Sequence, residues 1–463
     1  MSEKYKVVVV GAGPAGIFAA IELVRAGVGP ILIAEKGHEI GRRRCPARET
    51  RCVGCATCDI MTGWGGAGAF SDGKLTLTTE VGGWLADYVG REELVRLIEH
   101  VDELWLEFGA DSRVYGPDPT EATRLERQAA LAGMKLIPMR IRHLGTDRSP
   151  VVLGAMHDYL AEAGVTIRHD CAVTRIIEES GRATGVELAD GNVVVADAVI
   201  AAPGREGADW LAEQAAALRI PLSNNAVDIG VRVECPATVM EPLTDYLYEA
   251  KLIYRSRAFG DSVRTFCMNP YGEVTTESYG DIVTVNGHSF AEKKTPYTNF
   301  AILVSQAFTE PFREPITYGR EIAHLANLLG DGILVQRLED LKAGRRSTPA
   351  RLAQMAGEPT MPQATPGDLS CVVPYRHLTD IIEFLEAMDA LAPGIVGSET
   401  LLYGVEVKFY SSRLEVDAEL RTAVEGLWAI GDGAGVTRGL VQSSASGVVA
   451  ARSVIGALQI QVL

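Results

Sequence analysis

Basic residues are the scarce class in this chain: 44 Lys and Arg stand against 60 Asp and Glu, for a net charge of -16 at pH 7. A polyanion would meet net repulsion, which sets nucleic acid and anionic membrane aside as expected partners. Long apolar runs are missing too. No stretch of membrane-spanning length is free of a charge or a Gly/Pro break, so no stable membrane insertion is expected. The opening MSEKYKVVVVGAGPAG has no basic segment leading into an apolar one, and the expected location is cytoplasmic. Disulfides are rare there, so the 8 cysteines are expected as thiols or metal ligands. Glycine, by contrast, is plentiful: 48 residues, clustered in loops, where it lets backbone come close to a ligand. A length of 463 residues exceeds one small core and calls for two domains.

The run Lys6 to Val10 (KVVVV) suits a strand buried on both faces of a parallel sheet. It leads into Gly11-Ala12-Gly13-Pro14-Ala15-Gly16, an amphipathic helical stretch ending at Gly27, and a second apolar strand, Pro30 to Ala34, closed by Glu35. Each piece has a task in gripping a dinucleotide. Gly11 makes the tight turn, Gly13 lets backbone N–H groups reach a pyrophosphate, and Gly16 lets helix and strand pack closely. Pro14 and Ala15 open the helix whose positive end faces the phosphates. Glu35, about twenty residues on, is placed to accept ribose hydroxyls, with Lys36 beside it.

The other end of the chain decides which dinucleotide. Glu425 to Ala429 is a short apolar strand emptying into the glycine loop Gly431-Asp432-Gly433-Ala434-Gly435, and Gly439, Leu440, Gln442 and Ser443 open the last helix. This resembles the second FAD signature of glutathione-reductase-like flavoproteins. By that resemblance Asp432 takes the ribityl and phosphate region, and the helix start faces the flavin ring. The segment reaching Val173 resembles the one that carries the adenine-contacting backbone. The strand ending Ala201-Ala202-Pro203-Gly204 resembles the one that closes the FAD domain. FAD is the expected cofactor.

Between Glu35 and the next glycine stretch lie an arginine run, Arg42-Arg43-Arg44, and four cysteines, Cys45, Cys52, Cys55 and Cys58. Arg44 is the candidate for the FAD pyrophosphate, against the alternative of a solvated charge cluster. The stretch Gly63 to Ser71 resembles the one that passes the flavin ring, with Gly66, Ala67, Gly68 and Ser71 as contacts and Asp72 and Lys74 next to them. Successive CxxC steps can wrap an iron–sulfur cluster, a 4Fe-4S cubane included, closed by the distal thiolate. Structural zinc, a redox-active dithiol and unligated thiols remain alternatives.

With these residues in view the chain resembles the uncharacterised FAD-dependent dehydrogenase family, and more distantly flavin reductases of the geranylgeranyl reductase kind. The likeness rests on GGAGAFSDGKL after the cysteines, RHLGTD at 142–147, RTFCMNP at 264–270, VNGHS at 285–289, GRRST at 344–348 and YGVEVKFY at 403–410. It implies an α/β fold. A Rossmann-like FAD-binding domain on a parallel sheet would carry an inserted α+β substrate domain on an antiparallel sheet. The expected division is FAD-binding domain 1–83 with the Cys-rich insert 45–58, a helical insert 84–139, FAD-binding domain 140–215, substrate domain 216–399, and FAD-binding domain 400–463.

The stripe Leu94, Leu97, Ile98, Val101, Leu104 and Trp105 has helical spacing and reads as core. In the substrate domain a helix is expected over Arg320 to Leu341. His288 is expected in a loop between two strands, where its near-neutral proton suits a donor role. Lys408 and Tyr410 are further catalytic candidates, His143 another, and Arg345 and Arg346 could bind an anionic group. The expected activity is a two-electron FAD oxidoreductase, a dehydrogenase or reductase acting on a small organic substrate. Reduction of an activated C=C bond is the form considered, with electrons from the cluster, from ferredoxin or from NAD(P)H. An FAD monooxygenase and a non-catalytic flavin redox sensor are the competing readings.

Overall fold

A computed structural model describes residues 3–46, 55–70, 73–144, 148–223, 225–247, 249–279, 281–288, 294–308, 311–312, 314–409 and 412–460. Cys52, Ser71, Asp72, Tyr410 and residues 145–147 and 289 lie outside them. The chain forms two compact units, Met1–Val114 with Arg140–Asn225 and Ser411–Leu463, and Tyr115–Met139 with Ala226–Tyr410.

In the first unit the strand Glu3–Val10 lies between Ile31–Ala34 and Val193–Ala201, parallel to both. Thr166–Arg168 extends the sheet beyond Ile31–Ala34, and Leu427–Ala429, from the far end of the chain, adds a parallel strand to Val193–Ala201. An antiparallel pair, Arg182–Leu188 and Val173–Glu179, completes seven strands. Val7, Val8 and Val9 are fully buried, as a central strand covered on both faces requires. Helices Pro14–Arg25 and Leu440–Ile460 pack closely: a Cβ on Gly447 would strike the Ala15 carbonyl. Helix Arg91–Glu107 buries Leu94, Leu97, Ile98, Val101, Leu104 and Trp105, so the stripe is core.

The second unit is built on an eight-stranded sheet running 365–366, 334–337, 401–408, 227–236, 297–306, 262–269, 251–255, 134–137. Every pairing but the first is antiparallel. A hairpin, Glu273–Tyr279 with Ile282–His288, accompanies it. The α/β class with a parallel sheet and an antiparallel second sheet is therefore as expected. The strand Val227–Pro236 alternates: Val227, Ile229, Val231, Val233 and Cys235 enter the apolar core, leaving Asp228, Arg232 and Glu234 for the opposite face.

Three details differ from the expectation. Residues 84–139 are not one insert but are divided between the units, and Leu401–Lys408 belongs to the second unit's sheet. The helix expected over Arg320 to Leu341 is Pro315–Gly330, a strand Leu334–Arg337 and a short helix Leu338–Lys342. The Gly330-Asp331-Gly332 turn stops it, with Asp331 and Gly332 at positive φ. His288 is the last residue of a strand opposite Glu273, not a loop residue.

Candidate functional site

The first strand delivers the chain to Gly11, whose φ of +101° is one that side-chain-bearing residues rarely adopt. A Cβ there would run into the Ala202 carbonyl, and one on Gly16 into the Gly11 carbonyl. Gly13 is different. Its φ of -76° and ψ of 178° suit any residue, and a Cβ would meet nothing within 4 Å. It caps the helix starting at Pro14 without a side-chain hydrogen bond, so the cap supplies no side-chain acceptor to the N–H groups of the first turn. Donors at a helix start are what a phosphate group takes.

Glu35 is buried under this turn, where its carboxylate accepts from the backbone N–H of Ala12 (2.8 Å), Gly37 (2.8 Å) and Gly63 (2.9 Å). It thereby fixes the turn, the strand end and the start of the glycine stretch together. Lys36 pairs instead with Glu206. Arg44 is exposed and holds Asp59 only through its backbone N–H. Arg43 is the buried one. It donates to the carbonyls of Asp59, Trp64 and Gly66, packs over Phe70, and is drawn down to about 10 by burial. Arg44 was the candidate for the pyrophosphate; the arginine that turns inward and ties this loop together is its neighbour Arg43, and a charge run carries no signal for which member does so.

The glycine stretch and the C-terminal loop close on the same turn. A Cβ on Gly66 would sit 3.2 Å from the Gly13 Cα, and one on Gly68 2.7 Å from Leu440 Cδ2 and 3.6 Å from Pro14 Cγ. One on Gly431 would sit 3.1 Å from the Ala15 Cβ. Asp432 accepts from Thr437 Oγ1 (2.7 Å) and Arg205 Nε (3.1 Å). Gln442 donates to the Val81 carbonyl (2.9 Å), and the Ser443 N–H to Gly439. Ala67 is half-buried beside them, Ala202 N–H bonds Val10, Gly204 stands at φ +67°, and Val173 begins a strand with its side chain buried. The site is thus lined by glycines and backbone, with one acid at each end, and these residues fit a dinucleotide.

Cys45, Cys55 and Cys58 carry free thiols, with Cys55 exposed. Among the described residues no group of three or more His, Cys, Asp or Glu is placed to hold a metal ion.

The second unit presents a charged face. Arg232 and Glu406 are both fully buried and joined by two hydrogen bonds of 2.8 and 2.9 Å. Lys408, also buried, donates to Glu277 (2.7 Å) and lies 3.4 Å from Glu406. Those two carboxylates outweigh desolvation and push Lys408 above the ordinary lysine value. A lysine so held keeps its proton and acts as a fixed charge. His288 is exposed, and Arg345 is tied to Asp340. Arg232, Glu406, Glu277 and Lys251 were not found from the sequence. The available signal was the alternation V-D-I-G-V-R-V-E-C, whose polar positions share one strand face.

Three family models match along the chain. Residues 226–409 match one described as FAD-dependent protein, C-terminal domain-like, residues 4–56 an FAD binding domain, and residues 65–236 a flavin containing amine oxidoreductase. An uncharacterized protein of Clostridium beijerinckii is 26% identical over 98% of this chain and 81% of its own. Similar solved structures include a geranylgeranyl bacteriochlorophyll reductase-like protein of Thermoplasma acidophilum (14% identity, 100% of this chain and 80% of that one, TM-score 0.41). Another is 3-ketosteroid-delta4-(5alpha)-dehydrogenase of Rhodococcus jostii RHA1 (14%, 98% and 97%, TM-score 0.46).

Proposed function

We propose that this FAD-dependent oxidoreductase is a reductase or dehydrogenase of a small organic substrate, the form favoured being addition of one hydride and one proton across an activated C=C bond. The observation that carries the cofactor side is the open space at Gly13, in front of a helix start and within reach of Gly66. Bound there, FAD supplies the two-electron acceptor and donor. The chain's own residues do the rest. Gly11 and Gly16 hold the turn, the first-turn N–H groups take the pyrophosphate, Glu35 takes the adenosine ribose, and Asp432 with the helix start at Leu440 takes the ribityl end. Glu35 can accept further hydrogen bonds, since an ionised carboxylate offers about four lone-pair sites and three are in use.

On the substrate side the second unit's charged face is the reading's binding surface, with Arg232 and Lys408 as fixed cations. NAD(P)H or a ferredoxin is the proposed electron donor and the cytoplasm the proposed location; no helix of the described residues is long and apolar enough to cross a membrane. Whether the segment Cys45 to Cys58 binds iron or zinc is decided by iron, zinc and sulfide analysis of anaerobically purified protein.

The test is anaerobic purification with released flavin identified, followed by reduction with NADH, NADPH and reduced ferredoxin. Oxidation of the reduced protein by activated alkenes is the expected result. Flavin that no donor reduces, or that reoxidises only with oxygen, overturns the proposal.

A further inference from the structure

The charged face of the second unit contains a cation with no counter-ion. Four cations, Arg232, Lys251, Arg264 and Lys408, share the face with four carboxylates, Asp228, Glu234, Glu277 and Glu406, of which Glu234 is engaged by Thr360 and Tyr403 rather than by a cation. Arg232 pairs with Glu406, Arg264 with Asp228, and Lys408 with Glu277. Lys251 is left over. It is 5% exposed, and among the described residues no carboxylate lies within ion-pair distance of its ammonium. Its ammonium lies 5.1 Å from the centre of the Phe266 ring. The same ring has the Arg264 guanidinium at 5.0 Å and the Lys408 ammonium at 5.8 Å. Phe266 itself is only partly buried, so the ring these cations share retains open surface.

The sheet register explains the gathering. Ile253 stands opposite Arg264, so Lys251, two residues back, falls opposite Phe266, two residues on, and on the same face. A buried charge lacking a partner costs several kcal/mol, and a protein keeps one where something supplies the missing charge.

We propose that Lys251, with Arg264 and the Phe266 ring, is the binding site for an anionic group, a carboxylate, on the substrate. This rests on the reading of the second unit as the substrate side, and it narrows the substrate class to carboxylic acids. The carboxylate supplies the counter-ion that Lys251 lacks among the described residues. The apolar part of the acid lies against Phe266. Lys408 and Arg232, already neutralised by carboxylates, do not compete for it, and Arg264, itself paired with Asp228, flanks the site through its place over the Phe266 ring.

The groups that face Lys251 set its charge state. Burial acts first and Arg264 second, both lowering it, while Glu249, Asp228 and Cys267 oppose them; the flanking strand 134–137 contributes Ile137 opposite it. The outcome is a lysine drawn down to about 7. A carboxylate docking beside it restores the charge, so binding at pH 7 takes up a proton.

The experiment is calorimetric titration of the flavin-loaded protein with benzoate at pH 7, in two buffers of different ionisation enthalpy. The expected result is saturable binding with net proton uptake. Benzoate should bind at least tenfold more weakly to Lys251→Met and within threefold of wild type to Lys251→Arg, and the neutral amide benzamide should not compete. The wild-type proton uptake stands even if Lys251→Met fails to fold. Equal affinity in wild type and Lys251→Met, binding without proton uptake, or no saturable binding of benzoate, succinate or inorganic phosphate overturns the inference. A yellow, reducible protein that fails these titrations loses only this site. A colourless one loses the proposed function instead.

Discussion

The two units prepare for ligands by opposite means. The first uses backbone: glycines at positions 11, 13, 16, 66 and 68, N–H groups at a helix start, and an acid, Glu35, that accepts three amides. The second uses side-chain charge, with Arg232, Lys251, Arg264 and Lys408 brought together on one face of the sheet from four strands. Backbone recognition costs little when the ligand is absent, because the N–H groups can face water. A buried charge cannot. Each one must be paired in the protein, as Arg232 and Lys408 are, or await a partner, as Lys251 does.

Removing a charge should therefore hurt the second unit more than removing an acid hurts the first. Arg232→Met strips both guanidinium hydrogen bonds from buried Glu406 and leaves it only Lys408, 3.4 Å away, and should cost about 3–5 kcal/mol in denaturant unfolding. Arg232→Met with Glu406→Leu should recover most of that loss. If the single variant loses less than about 1 kcal/mol, the pair is better hydrated than its burial implies.

In the first unit the comparable change is Glu35→Gln, which strips the charge from an acceptor of three backbone amides. A loss of about 1–3 kcal/mol is expected, together with weaker flavin retention on dialysis. Stability falling without any change in flavin retention would separate Glu35 from the ribose.

The smallest effect sharpens the contrast between the two lysines. Below pH 7 Lys251 is charged in both folded and unfolded chains, so the folded state bears the full burial penalty. Above about 7 the folded chain sheds that proton while the unfolded chain holds it to about 10, so stability rises with pH over this window. Relative to Lys251→Met, the wild type should gain roughly 1 kcal/mol per pH unit there, read from paired urea titrations. Lys408→Met, whose lysine is held above the ordinary value, should show no such window near neutrality.

The same contrast explains what could be read from the sequence. The turn at Gly11 to Gly16, the acid at 35 and the loop at Gly431 are contiguous strings, and each string has a local backbone task. The parallel sheet, the joining of both termini in one unit and the tight glycine turn were legible for that reason. The charged face was not. Its members sit on strands at 227–236, 251–255, 262–269 and 401–408 and a hairpin strand at 273–279, and only the register brings them together. Lys408 was picked out, but not the two carboxylates that fix its proton. Arg43 and Arg44 show the same limit at close range, since nothing local says which of two adjacent arginines points inward. The expected helix through Leu341 failed because apolar residues continue past Gly332 into a strand, and periodicity over a short span cannot separate the two.

The central claim is that a dinucleotide fills the space at Gly13. The most direct measurement is the flavin-to-protein ratio of wild type beside Gly13→Ala, with the unfolding midpoint of each apoprotein. A Cβ at Gly13 meets nothing in the chain, so the account predicts equal midpoints and at least a tenfold loss of bound FAD in the variant. Equal FAD content in both proteins would contradict it.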